Sequence, residues 1–298
     1  MNDLMLPGSP EWCRRVSPSK AAAILGISPW DSQYSMWRKM RGEVPWDDQT
    51  EAMERGDLLE SGVLAWWRNH HPDHKKWREQ VSLPLGGWAV ATPDAMCVRD
   101  EGTGVEPIIV EAKTSSDDEA WGDPGTDEVP AYYLVQAFLT AHIANLHKIP
   151  VRRVHMPVLG PRLRFANYVI DYDPVVGERL LDRMREWYES LSLEVPPPLD
   201  DSVATYDAVR KLHPEIDAGV EVELDEDLAV ALVTAKQQVD AGEAAARLAR
   251  ATAIERMGRA QYATCNGVRI ARRQPRGEHA SFVLVATTTD FTEKELSA

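Results

Sequence analysis

The apolar run Ile108-Ile109-Val110 passes without a break into Glu111-Ala112-Lys113. Consecutive β-branched aliphatics read as a strand buried on both faces, the centre of a sheet covered by helices. Alternation along such a strand puts Glu111 and Lys113 on the same face, at its tip. Thr92-Pro93-Asp94 supplies another acid at a strand start, and Glu60 lies upstream on a predicted helix. Two carboxylates can hold Mg²⁺ against a phosphate, and a lysine beside them can steady an attacking water or offset developing charge. Each piece alone has an ordinary explanation. Pro-Asp is a common turn device, and charged strand ends and solvated helix acids are frequent. Their order along the chain carries more than any one of them.

The chain has 298 residues, enough for one large domain or for one domain with an appendage. A hydrophobic share of 44% and a charged share of 27% are those of an ordinary globular protein. No apolar run approaches the ~20 residues that span a bilayer, and no secretory leader is expected at the N-terminus. Cys13, Cys97 and Cys265 stand far apart, with no CxxC pair, which argues against a zinc or iron–sulfur centre. They suit a reducing cytoplasm. The net charge of −14 argues against a general nucleic-acid binder. It leaves room for a nuclease, which needs only a local basic stripe and carries acids for its metal. Basic clusters at 14–15, 75–78, 152–153, 162–164 and 269–276 read first as solvated faces.

The patterning predicts helices over 17–25, 32–40, 49–69, 130–147 and 174–193. It predicts strands over 77–83, 88–98, 107–113, 151–159 and 163–170. Pro196-Pro197-Pro198 marks a stiff boundary. Residues 1–195 are therefore expected to form an α/β core and 196–298 a C-terminal extension. Within the extension, 225–262 reads as a long helix, or a pair broken near Gly242. Strands over 268–272 and 281–286 read as a terminal hairpin. No internal repeat is present.

The whole constellation resembles the PD-(D/E)XK nuclease superfamily, and within it the YqaJ-like and lambda-exonuclease-like phage recombination exonucleases. The resemblance covers roughly residues 10–190. It is carried by Ser17-Pro-Ser-Lys-Ala-Ala-Ala-Ile-Leu-Gly26, by Arg55-Gly-Asp-Leu-Leu-Glu60, and by Thr92-Pro-Asp-Ala95. Glu111-Ala-Lys113 and Pro130-Ala-Tyr-Tyr-Leu-Val-Gln136 complete it. It implies a mixed central sheet flanked by helices. It implies that Asp94, Glu111 and the Ala112 carbonyl ligate Mg²⁺ or Mn²⁺, and that Lys113 positions or activates the water. Glu60 would hold metal waters or a second metal, and Gln136 would brace the site. Ser19 matches a residue that holds a terminal 5′ phosphate, with Arg14 and Arg15 as the nearest arginines for the same task. Ala95 replaces a usual glycine, and Thr140 stands where relatives often carry tyrosine.

The activity implied is 5′-to-3′ degradation of one strand of linear double-stranded DNA, leaving 3′ single-stranded tails for recombination. A ring-like homotrimer acting on DNA ends, with a single-strand annealing protein as partner, is implied as well. So is the cytoplasm of a bacterial host for a phage-encoded chain, with no membrane. A structure-specific or restriction-type endonuclease on the same core, or an inactive DNA-end-binding protein, remain alternatives. The group His70-His71-Pro72-Asp73-His74 reads as a polar helix end and turn rather than a metal site. Most of the ten tryptophans read as core, with Trp30 and Trp121 as candidates to stack on an unpaired base. No GxxxxGK[ST] loop occurs, so no ATP-driven motor is expected.

Overall fold

A computed structural model describes residues 8–100, 102, 104–276 and 279–285. The chain divides into two compact units, Met1–Ile216 and Asp217–Ala298.

The first unit begins with the short helix α1 (Pro10–Cys13). A 3-10 turn (Pro18–Lys20) then leads into α2 (Ala21–Ile24). Ser17, at the start of that turn, makes no capping bond; its hydroxyl meets that of Ser19 at 3.0 Å. Helix α3 (Gln33–Arg41) starts at Ser32, whose hydroxyl accepts the Ser35 amide at 3.0 Å. It stops at Gly42, whose φ of 75° suits a residue without Cβ. Helix α4 (Glu51–His70) is capped by Thr50.

The strands follow: β1 (His74–Glu79), β2 (Leu83–Leu85), β3 (Ala89–Ala91), β4 (Ala95–Asp100), β5 (Val105–Val110) and β6 (Lys113–Thr114). Next come α5 (Ala131–Leu146), β7 (Arg153–Leu159), β8 (Phe165–Asp171), α6 (Pro174–Ser190) and α7 (Val203–Leu212). The main sheet runs β1-β4-β5-β7-β6, with β8 also on β7. It is mixed, as expected: β4 lies antiparallel to β5, and β7 parallel to it. Strands β5 and β6 share one register along β7, with Ile108 opposite Arg153 and Lys113 opposite Val158. They are one line of chain, interrupted at Glu111 and Ala112.

Alternation along β5 sorts the two cores. Ile109 faces a cluster built with Leu139, Ile143, Met156 and Met184 on the α5–α6 side. Ile108 and Val110 face Val63, Leu64 and Trp67 of α4. On α4 these three residues are buried, whereas Leu58 is 73% exposed. Beyond the proline run, α7 packs on α3 within this unit; the Thr205 hydroxyl donates to Ser32 Oγ at 2.7 Å.

In the second unit, α8 (Glu226–Met257) runs unbroken through Gly242. After it, β9 (Tyr262–Cys265), β10 (Val268–Arg276) and β11 (His279–Leu284) form an antiparallel sheet in the order β11-β10-β9. The expected hairpin is present as β10 and β11, and β9 adds a strand the patterning did not show. Ala286, in the expected last strand, lies outside the described residues. Among the described residues no helix is long and apolar enough to cross a membrane.

Candidate active site

Asp94 sits in the break between β3 and β4. Pro93 has no N–H to give a ladder, so the extended stretch from Trp88 is divided there. Asp94 Oδ2 accepts the backbone N–H of Ala112 at 2.7 Å. The Glu111 N–H goes to the His155 carbonyl at 2.9 Å. These two bonds hold the interruption between β5 and β6 and keep both flanking side chains on one face. Lys113 Nζ lies 3.7 Å from Glu111 Oε2.

Helix α5 supplies the brace. Gln136 Nε2 donates to Glu111 Oε2 at 2.9 Å. One turn on, the Thr140 hydroxyl donates to the Gln136 carbonyl at 2.9 Å. Helix α4 supplies the opposite wall. Met53, Gly56, Asp57, Glu60 and Val63 line a cavity of about 260 Å³ together with Asp94, Ala112, Lys113, Thr114 and Tyr133. Asp57, Thr114 and Tyr133 were not singled out as site residues in the sequence. Tyr133 had a signal, since it lies in the Pro-x-Tyr-Tyr-x-x-Gln stretch.

Electrostatics in this cavity are one-sided. Burial, then the charge of Asp94, pushes Glu111 up to about 8, although Lys113 and Thr140 pull it back. Burial, then Asp94, pushes Glu60 up to about 7. Burial also raises Asp94, against the pull of Lys113 and of the Ala112 N–H. Burial works against the ammonium of Lys113, but Asp94, Glu111, Tyr133 and Glu60 outweigh it and its pKa is raised. Three carboxyl groups thus crowd one ammonium, and their mutual repulsion, which adds to burial in raising the pKa values of Glu111 and Glu60, is what a divalent cation would relieve. Among the described residues, no three His, Cys, Asp or Glu side chains form a ready-made ligand cluster. Asp94 and Ala112 line the cavity with Glu60, and Glu111 lies buried next to Lys113, so carboxyl and carbonyl oxygens are the donors gathered here. That is an oxygen set of the kind a hard cation takes.

Ser19, Arg14 and Arg15 lie outside the residues lining this cavity. Ser19 and Arg14 are exposed, and Arg15 is half-buried. The 3-10 turn carrying Ser19 packs against α5, the helix of Gln136. His71 and His74 are joined by His155 around Trp67, with ring centres 5.4–6.0 Å apart. The strand residue His155 is far away in sequence, so no local pattern foretold it.

The profile of the YqaJ-like viral recombinase domain matches residues 12–147. That span contains every residue of the cavity. The chain is 26% identical over 216 residues to "Uncharacterized protein YqaJ" of Bacillus subtilis (strain 168), covering 70% of this chain and 63% of that protein. It thus spans somewhat under two thirds of that relative's length. Among solved structures it is similar to the alkaline exonuclease LHK-Exo of Laribacter hongkongensis. There the TM-score is 0.45 at 14% identity, covering 61% of this chain and 90% of that one. It is also similar to a phage related exonuclease of Haemophilus somnus 129PT. In that case the TM-score is 0.43 at 14% identity, covering 60% and 96%.

Proposed function

We propose, from residues 12–147 as a YqaJ-like viral recombinase domain, that this chain is a metal-dependent exonuclease of linear double-stranded DNA. The supporting observation is the cavity in which Glu60, Asp94 and Lys113 converge beside the buried Glu111, with the carboxyl groups buried and crowded enough to be raised in pKa. Asp94, Glu111 and the Ala112 carbonyl would hold Mg²⁺, or Mn²⁺ in its place. A bound cation supplies Lewis acidity to a phosphoryl oxygen and lowers the pKa of water.

The chain's own groups do the rest. Lys113 holds the attacking water and offsets the charge that grows on the phosphate oxygens. Gln136 fixes the Glu111 carboxyl group beside Lys113. Glu60, near half-protonated at neutral pH, holds waters at the opposite wall. Water adds to phosphorus in line and the P–O3′ bond breaks. A 5′ mononucleotide leaves, and the shortened strand again carries a 5′ phosphate. Ser19 with Arg14 or Arg15 would hold that phosphate, which gives 5′-to-3′ polarity and leaves 3′ single-stranded tails. A homotrimer around the duplex and a single-strand annealing partner belong to the same reading, as does action in a bacterial cytoplasm.

The test is digestion of a linear duplex labelled at one 5′ end, with and without a 5′ phosphate, in Mg²⁺. Closed circular DNA and Lys113→Ala run beside it. Early release of labelled mononucleotide, dependent on an end and on Lys113, supports the proposal. Cutting of the circle replaces it with an endonuclease, and binding without cutting in Mg²⁺ or Mn²⁺ replaces it with an end-binding protein.

A further inference from the structure

Aromatic rings run from the cavity to the surface of the first unit. Tyr133 lines the cavity with Glu60, Asp94 and Lys113, and its ring centre lies 5.5 Å from Lys113 Nζ. Tyr132 meets it at 4.6 Å, tilted by 65°. Trp30, in the loop before α3, stands edge-on to Tyr132 at 4.8 Å and lies 6.1 Å from Tyr133. On the other flank Trp121 lies 5.6 Å from Tyr133, its Nε1 donating to Ser115 Oγ at 3.2 Å.

These rings are not buried alike. Trp121, Tyr132 and Tyr133 are half-buried, whereas Trp30 is 65% exposed. Its loop is nonetheless tied down. Ser28 Oγ accepts the amides of Trp30 and Asp31, each at 3.2 Å, and Ser32 caps α3 directly afterwards. A large apolar side chain held out in water on a fixed loop, with its back against two tyrosines, is a presented surface rather than a frayed one.

We propose that Trp30, backed by Tyr132 and Tyr133, is a stacking platform for an unpaired base at the end of the DNA strand being cut. The inference rests on the nuclease reading above. The occupant follows from two features. Tyr133 belongs both to the platform and to the wall of the cavity, so a strand with its phosphate at Lys113 passes the platform within a nucleotide or so. Beside Trp30, Lys39 is bridged to Asp31 at 2.9 Å and to Asp47, and Lys211 to Asp47 at 2.7 Å. Those lysines are already paired, so the exposed Trp30 ring is what this surface offers a strand. Every base has a π-face, so stacking tolerates any sequence, as an exonuclease requires.

The test uses the full chain in EDTA at fixed ionic strength, with a short duplex labelled at its far end. The near end carries either mismatched, unpaired bases or abasic nucleotides. Binding is followed by anisotropy, and thermal melting checks each variant's fold. Trp30→Ala is expected to weaken binding to the unpaired-base end by about 5- to 100-fold, and Trp30→Phe to restore most of it. The abasic end is expected to bind the unaltered chain weakly and to lose nothing further with Trp30→Ala. Unchanged binding by Trp30→Ala, or an equal loss at both ends, overturns the platform. Digestion in Mg²⁺ separates the two readings. An unaltered chain that cuts DNA while Trp30→Ala binds normally sinks the platform alone. An unaltered chain that neither binds nor cuts sinks both.

Discussion

Gln136 Nε2 donates to Glu111 Oε2 at 2.9 Å, across the gap between helix α5 and the interrupted central strand. Lys113 approaches the same oxygen at 3.7 Å. One carboxylate oxygen is thereby held by a neutral donor and a cation, and the rotation of the carboxyl group is set from outside. Replacing Gln136 by alanine removes the hydrogen bond to that oxygen and leaves the Lys113 ammonium 3.7 Å away. Activity is expected to fall about 10- to 100-fold, the usual cost of losing a partner that orients a metal ligand. The loss should appear as a higher Mg²⁺ requirement. A titration of initial hydrolysis rate against Mg²⁺ checks it, and an unchanged half-saturation would show that Gln136 does not orient Glu111.

Lys113 is the cation that Asp94, Glu111 and Glu60 share. Lys113→Ala is expected to reduce the rate about 100- to 1,000-fold at saturating metal, as does removal of a charge-stabilising donor elsewhere. DNA affinity in EDTA should change far less. Single-turnover rates and anisotropy on the same duplex separate the two effects. Equal losses in both would make Lys113 a DNA-binding residue rather than a group acting in the chemistry.

The raised carboxyl groups have a consequence for stability. Glu111, at about 8, and Glu60, at about 7, hold protons in the folded chain that they release when unfolded at the same pH. Between the unfolded value, near 4.5, and the folded values, the native state binds more protons. The stability these groups contribute is therefore complete below about 4.5 and is lost as pH rises through 7 and 8. Metal-free protein should melt at progressively lower temperature over that range. A divalent cation that binds only the folded chain should offset the loss, by about 2.7 kcal/mol at a hundredfold excess over its dissociation constant. Melting in EDTA and in Mg²⁺ from about pH 5 to 8 tests this. The gap between the two curves should widen with pH and close in Glu111→Gln.

The central strand and its charged tip were legible because both are local. A run of aliphatics and an i, i+2 pair need no knowledge of partners. The strand does break at Glu111 and Ala112, but β6 resumes in the register of β5, so the expected shared face of Glu111 and Lys113 holds. The Gln136 bond to Glu111 joins helix to strand at long range, and it was foreshadowed by the resemblance, in which Gln136 braces the site. Of the two readings left open at Gly242, the single helix is the one present: a glycine costs a helix about 1 kcal/mol, too little to break one of 32 residues. The meeting of His155 with His71 and His74 depends on strand pairing at long range. The meeting of Trp30 with Tyr132 depends likewise on a distant loop and helix coming together. Periodicity records neither.

Lys20 offers a prediction away from the cavity. It is 2% exposed, and its ammonium nitrogen donates to the carbonyls of Trp12 at 2.6 Å, Cys13 at 3.3 Å and Arg15 at 2.7 Å. The Trp12 ring centre lies 3.7 Å away and that of Trp46 5.0 Å. Lys20 thus closes the end of α1 and shapes the segment that carries Arg14 and Arg15. Burial lowers its pKa to about 7. A neutral amine has two N–H bonds, which suffice for the two short contacts while the long one to Cys13 is given up. Between about 7 and 10.5 the unfolded chain binds the extra proton, so the stability Lys20 contributes rises with pH across that window. Lys20→Met strands these carbonyls and is expected to cost about 2–4 kcal/mol near pH 8. Urea unfolding at about pH 6 and pH 9 should show the stability gap between the unaltered chain and the Lys20→Met variant growing with pH. The preference for a 5′ phosphate on linear DNA should fall in the same variant, through displacement of Arg14 and Arg15. A Lys20→Met chain that is destabilised yet keeps that preference would place the phosphate contact elsewhere.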